Sequence, residues 1–149
     1  MVAAAYQRLR VNIKKTLFPL ISFLTACTGE PPQNIGEQDG RLAACPRSPN
    51  CVSSFESDAE HGIQPLKANL REVEQILLGL EEANIVEYRD GYLCAEFTSR
   101  LMRFVDDVEF LEYSEAGVVH VRSASRLGYS DLGTNRKRIE NIRRLLLRI

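Results

Sequence analysis

The sequence contains no motif that specifies a reaction. No Gly-x-Ser-x-Gly elbow or other strained turn presents a nucleophile. Only two histidines are present, His61 and His120, and with the four cysteines they fit no zinc template. Neither a metal nor a cofactor is therefore expected. The uncharged apolar run Thr16 to Ala26 falls well short of the roughly 20 residues a bilayer-crossing helix needs. Basic residues are not interleaved with aromatics, and a formal net charge of −1 supplies no basic domain. Nucleic acid is not an expected partner.

What is there describes one globular domain. The chain of 149 residues, 44% hydrophobic and 26% charged, is long enough for one sizeable core and too short for two ordinary ones. Its near-neutral balance conceals an asymmetry. Residues 1–27 hold four basic side chains and no acid, and Arg122 to Ile149 holds eight basic against two acidic. The body between is strongly acidic, so internal charge complementarity is expected rather than a nucleic-acid footprint.

Residues 1–27 read as a leader. Arg8, Arg10, Lys14 and Lys15 precede the apolar run of secretory-signal length. Leu24-Thr25-Ala26-Cys27 then resembles the lipobox of bacterial lipoprotein precursors, which implies cleavage before Cys27 and its acylation. The expected location is the periplasmic face of a bacterial membrane, with lipid at Cys27 as the anchor. Residues 28–42, rich in Pro, Gly, Gln and acid, offer little to bury and read as a flexible tether. The folded domain is expected over residues 43–149.

Cys45 and Cys51 enclose two prolines and an asparagine, a tight loop. In an exported protein a disulfide is the simplest state; a reactive dithiol or half of a metal site are the alternatives. Cys94, inside an apolar strand pattern, reads as a small core residue. Further on, Asn69 with Glu72 forms a capping box ahead of a helix from about Leu70 to Glu82. Strands follow at Ile85–Tyr88, Tyr92–Ser99, Phe104–Tyr113 and Val118–Ser125, with Asp90-Gly91 as a hairpin turn whose two central residues both take positive φ. Neither face of the third strand is cleanly apolar, so its core side stays open. A last helix, starting near Ser130 to Asn135, aligns Ile139, Ile142, Leu145, Leu146 and Ile149 on one stripe. The fold predicted is two-layer α+β: a four-stranded antiparallel meander with both helices on one face.

Arg100, Arg103, Asp106, Asp107, Arg122, Arg126 and Asp131 crowd a short segment. Asp106 and Asp107 point to opposite faces of a strand, so they are partners for arginines and not a catalytic pair. Antiparallel topology carries Arg100, Asp107, Arg122 and Arg126 to the same end of the sheet, where one connected site is expected. Arg122, Ser123 and Arg126 with Asp131, Asn135 and Arg136 either form an anion pocket at the start of the last helix or a salt-bridge network that fixes the sheet to it. His61 and Asp58 with Ser53, Ser54, Ser123, Ser125 or Ser130 can be written as a hydrolase set, though so many serines produce such sets by chance. His120 on a strand reads as a structural histidine.

Four blocks together carry a resemblance: Cys45-Pro-x-Ser-Pro-Asn-Cys-Val-Ser-Ser54; His61-x-Ile-x-Pro-Leu66; Ala95-Glu-Phe-x-Ser-Arg-Leu101 with Phe104-Val-Asp-Asp-Val-Glu-Phe110; and Val121 to Arg136. The pattern resembles domain-of-unknown-function family 1499 over most of Ala43 to Leu147. That resemblance implies exported or membrane-linked bacterial and chloroplast proteins, and no established activity. The expected function is a membrane-tethered binding or assembly module. It would take a small ligand, an anion among the candidates, or a protein partner at the face joining the Cys45–Cys51 loop, Ser53, Ser54 and His61 to the charge cluster. The competing class is an enzyme, a hydrolase using His61 or a thiol-redox protein using Cys45 and Cys51.

Overall fold

In the computed structural model, residues 29–149 are described; the leader and Cys27 lie outside them. Five strands form one antiparallel sheet: β1 (Cys51–Ser53), β2 (Ala83–Arg89), β3 (Tyr92–Thr98), β4 (Val105–Tyr113) and β5 (Val118–Ser125), in the order β1-β5-β4-β3-β2. Helix α1 (Leu70–Leu78) precedes β2 and α2 (Thr134–Leu146) follows β5. The meander β2 to β5 matches the four strands predicted from the sequence. The fifth strand is a correction: β1 pairs Val52 with Ser123 at the β5 edge. Three residues between prolines and serines are too few to show a period of two.

One sheet face carries the main core. Leu93, Ala95 and Phe97 of β3, Val108 and Phe110 of β4, and Val119 and Val121 of β5 pack against Leu70, Val73 and Leu77 of α1 and Ile139 and Ile142 of α2. Burying each of these side chains larger than alanine stabilises the fold by about 1.5–3 kcal/mol. The capping box is formed: the Asn69 side chain accepts from the Glu72 amide at 3.0 Å, and Glu72 accepts from the Asn69 amide at 2.9 Å. Helix α1 ends sooner than the apolar spacing suggests, because the chain turns at Gly79 to enter β2. At the other end of the chain Ile149 is exposed, so the apolar stripe of α2 stops at Leu146. In the β2–β3 turn Gly91 alone has positive φ, at 72°, so Asp90 does not adopt the conformation expected of it.

The opposite face is buried too. Every residue from Val105 to Leu111 of β4 is buried, which explains why that strand shows no alternation. Tyr92, Cys94 and Leu111 pack there against Leu42, with Ile35 and Phe55 alongside. Much of the segment expected to be a tether thus lies on the sheet. The Gly36 amide donates to Glu109 at 2.7 Å, the Tyr113 hydroxyl donates to the Gly40 carbonyl, and the Arg41 guanidinium stacks 4.4 Å over Phe55.

Candidate functional site

Strand register decides which charges meet on the loop-covered face. Glu109 of β4 stands opposite Arg122 of β5, and Asp107 lies between Glu96 of β3 and Ala124 of β5. Arg122 donates to Glu109 at 3.0 Å; both side chains are almost wholly buried. Glu109 also accepts from the Tyr92 hydroxyl at 3.0 Å and from the Gly36 amide. Arg126, from the chain just beyond β5, grips Asp107 through two bonds of 2.8 and 2.6 Å and reaches Glu96 at 2.5 Å. That bidentate bond to Asp107 is the main reason the Arg126 guanidinium holds its proton more tightly than usual. Burial, reinforced by Glu109, pushes the Cys94 thiol up to about 12 and raises the Tyr92 phenol as well.

The two arginines differ in how well they are served. Arg126 is held by two carboxylates, whereas Arg122 Nε is buried without a hydrogen-bond partner among the described residues. Arg122 also borders a cavity of about 290 Å³ whose walls include Glu30, Pro32, Asn34, Cys45, Pro46 and Ser125. A buried guanidinium with an unused donor beside open space can receive an acceptor oxygen. Three carboxylates already face two guanidinium groups here, so a singly charged or neutral acceptor suits the site better than a doubly charged one.

On the helix-covered face a second polar network centres on Asn135, which is fully buried. Its side-chain nitrogen donates to the Asn50 carbonyl, Ser125 Oγ and Asp131, and its oxygen accepts from Ser123 Oγ and Arg138, all between 2.6 and 3.0 Å. Arg138 continues to Asp106 at 2.5 Å. This network joins the disulfide loop, the end of β5 and α2. It also fills the expected anion pocket: the Asp131 carboxylate accepts from the Gly133 and Asn135 amides, each at 2.8 Å. Asp131 thus takes the first two free amides of α2, Thr134 through its carbonyl and Asn135 through its carboxylate.

The expected single site is therefore two networks separated by the sheet. Asp107, Arg122 and Arg126 lie on one side, Ser123, Asp131 and Asn135 on the other. Arg100 joins neither; it is exposed beside a groove between α2 and the end of β3. Arg136 donates to the Glu60 carbonyl at 3.0 Å, pinning a loop. Ser53 is buried in β1. Cys45 and Cys51 are bridged, and Cys94 is free and buried. His61 Nδ1 lies 3.1 Å from Asp58, and its Nε2 lies 3.4 Å from the Ser48 carbonyl, so no serine hydroxyl meets it. Amide donation from His61 is the largest of the influences that lower the Asp58 pKa. Ser54 instead meets His120 Nδ1 at 2.9 Å, and that ring stacks on Phe55 at 4.3 Å.

Sequence reasoning passes over Glu109, Glu96, Tyr92, Asn50 and Arg138. Glu109 leaves one signal: it shares strand parity with Asp107 in a strand that has no solvent face. Among the described residues, no three His, Cys, Asp or Glu side chains gather as metal ligands, and no helix is long and apolar enough to cross a membrane. Residues 41–146 match the family described as Protein of unknown function (DUF1499). No curated protein and no solved structure matches the chain.

Proposed function

Since the chain belongs to the DUF1499 family, whose description carries no activity, we propose from its geometry that it is an exported, lipid-anchored binding domain for a small acceptor-bearing ligand such as a monocarboxylate. The observation that supports this is Arg122. Its buried side chain keeps an unpartnered Nε, and the residue lines a cavity flanked by the disulfide loop. Leaving a buried donor unpaired costs about 1–3 kcal/mol, which an incoming oxygen would recover. Anchoring is read from the lipobox and leader, with Cys27 as the acylated residue. A hydrolase built on His61 has weaker support, because both its ring nitrogens face groups other than a serine.

The test is thermal unfolding of the detergent-purified full chain with acetate, succinate or inorganic phosphate. A ligand at ten times its Kd adds about 1.4 kcal/mol, which raises Tm by about 4–8 °C for a domain of this size. The shift should be largest for acetate and absent in a double variant, Arg122→Met with Glu109→Leu, that removes the pair together. Equal shifts in both proteins, or none with any probe, would end the reading. A mass spectrum of membrane-extracted protein checks the anchor: an unmodified Cys27 or an intact leader contradicts it.

A further inference from the structure

Both connections at one end of the sheet expose apolar side chains. Between β3 and β4, Leu101 is 89% exposed and Met102 is also out; between β5 and α2, Leu127, Tyr129 and Leu132 are out, Leu132 at 85%. Register puts these loops together, since Thr98 pairs with Val105 and Asp106 with Ser125. Leu132 holds a left-handed φ of 54°, a conformation uncommon for a non-glycine residue, so its display at the tip is specified by the loop. Arg100 and Arg103 flank Leu101 and Met102, and among the described residues neither forms an ion pair. Gly29 lies at the same place: a Cβ there would sit 2.9 Å from Arg126 Cβ and 3.1 Å from Leu127 Cγ. Cys27 is two residues earlier, and two residues of extended chain reach at most about 7 Å.

We propose that this end of the domain docks on an anionic phospholipid surface. Leu101, Met102, Leu127 and Leu132 enter the boundary between headgroups and acyl chains, with Tyr129 at headgroup depth and Arg100 and Arg103 on lipid phosphates. The orientation rests on the reading of Cys27 as the anchor, because a lipid within about 7 Å of Gly29 leaves the domain no other end to present. The two basic side chains beside bare apolar tips favour the lipid surface over a protein partner.

The sequence contains no tryptophan, so single tryptophans report position cleanly. Leu101→Trp, Leu132→Trp and Leu147→Trp would be made in the full chain. Leu147 is exposed near the start of β5, at the far end of the sheet. Each purified protein would be reconstituted into vesicles of phosphatidylglycerol and phosphatidylethanolamine carrying brominated acyl chains. Quenching at 101 and 132 should exceed that at 147 by about threefold or more. It should weaken in phosphatidylcholine vesicles and in an Arg100→Gln, Arg103→Gln background. Protein that floats with vesicles but shows equal quenching at all three positions overturns the docking and leaves the anchor intact. Blue-shifted emission without bromine quenching overturns it in favour of a second copy or a protein partner. Failure to float overturns it as well, and the Cys27 mass then reports separately whether the anchor exists.

Discussion

Both faces of the sheet are covered, and they are differently built. Under the helices, burial is mainly apolar, with one polar network around Asn135 at the end of the sheet. Under residues 29–56, the same strands bury Glu109, Asp107, Arg122 and Arg126 among a few apolar side chains. A hydrocarbon face gains from area and is indifferent to direction. A charged one needs each oxygen and each N–H matched, and a buried pair gives little net stability for its cost in desolvation. The helix face therefore holds the domain together, and the loop face gives one arrangement of charges its position.

Adjacent residues of β4 give the strongest test of that contrast. Phe110→Ala should lose about 3–5 kcal/mol through a cavity under the helices. Glu109→Ala should lose a similar amount, because Arg122 remains charged and buried without its partner. Denaturant titration of both, with the double variant Glu109→Leu, Arg122→Met, separates the causes: the double should recover most of the Glu109→Ala loss. A double variant as unstable as the single would mean the loop face is also held by its charges.

Asn135→Ala comes next, at about 2 kcal/mol, since it strands several buried groups at once. A loss below about 0.5 kcal/mol would show that the loops it joins are held by other contacts. Replacing Cys45 and Cys51 together by serine should cost about 2 kcal/mol, the modest value a short closed loop allows. The smallest effect concerns His120. Burial, with Arg41 secondary, lowers its pKa below the ordinary 6.5, so the folded state holds the ring neutral. Its contribution is complete above about pH 6.5 and is lost as pH falls through the folded value. Melting curves from pH 7 to 5 should therefore be steeper for the native chain than for His120→Phe, and identical slopes would remove His120 from the account.

The contrast also explains what the sequence discloses. The helix face is legible: Val73 and Leu77 repeat at helical spacing, Leu93, Ala95 and Phe97 at strand spacing, and the Asn69–Glu72 box marks where α1 starts. The loop face is not, because alternation requires one wet side and β4 has none. Residues 29–42 look like linker by composition, yet Gly36 is held through its amide on Glu109, a contact that backbone supplies whatever the side chain. Arg122 and Arg126 stand out as charges, but their partners depend on register, which pairs Glu109 rather than Asp107 with Arg122. Arg100 is drawn into the expected cluster by position alone; the β3–β4 connection carries it outward.

Burial of Cys94 has a consequence for oxidative folding. Three cysteines occur from Cys45 onward, and only a thiolate exchanges with a disulfide. Once β3 is in place, the Cys94 thiol is inaccessible and pushed up to about 12, so it neither attacks the Cys45–Cys51 bridge nor yields readily to an oxidant. Scrambling then requires opening the sheet around β3. The buried glutamate that helps hold that thiol protonated is Glu109, so the same carboxylate that orders the arginine also guards the correct bridge.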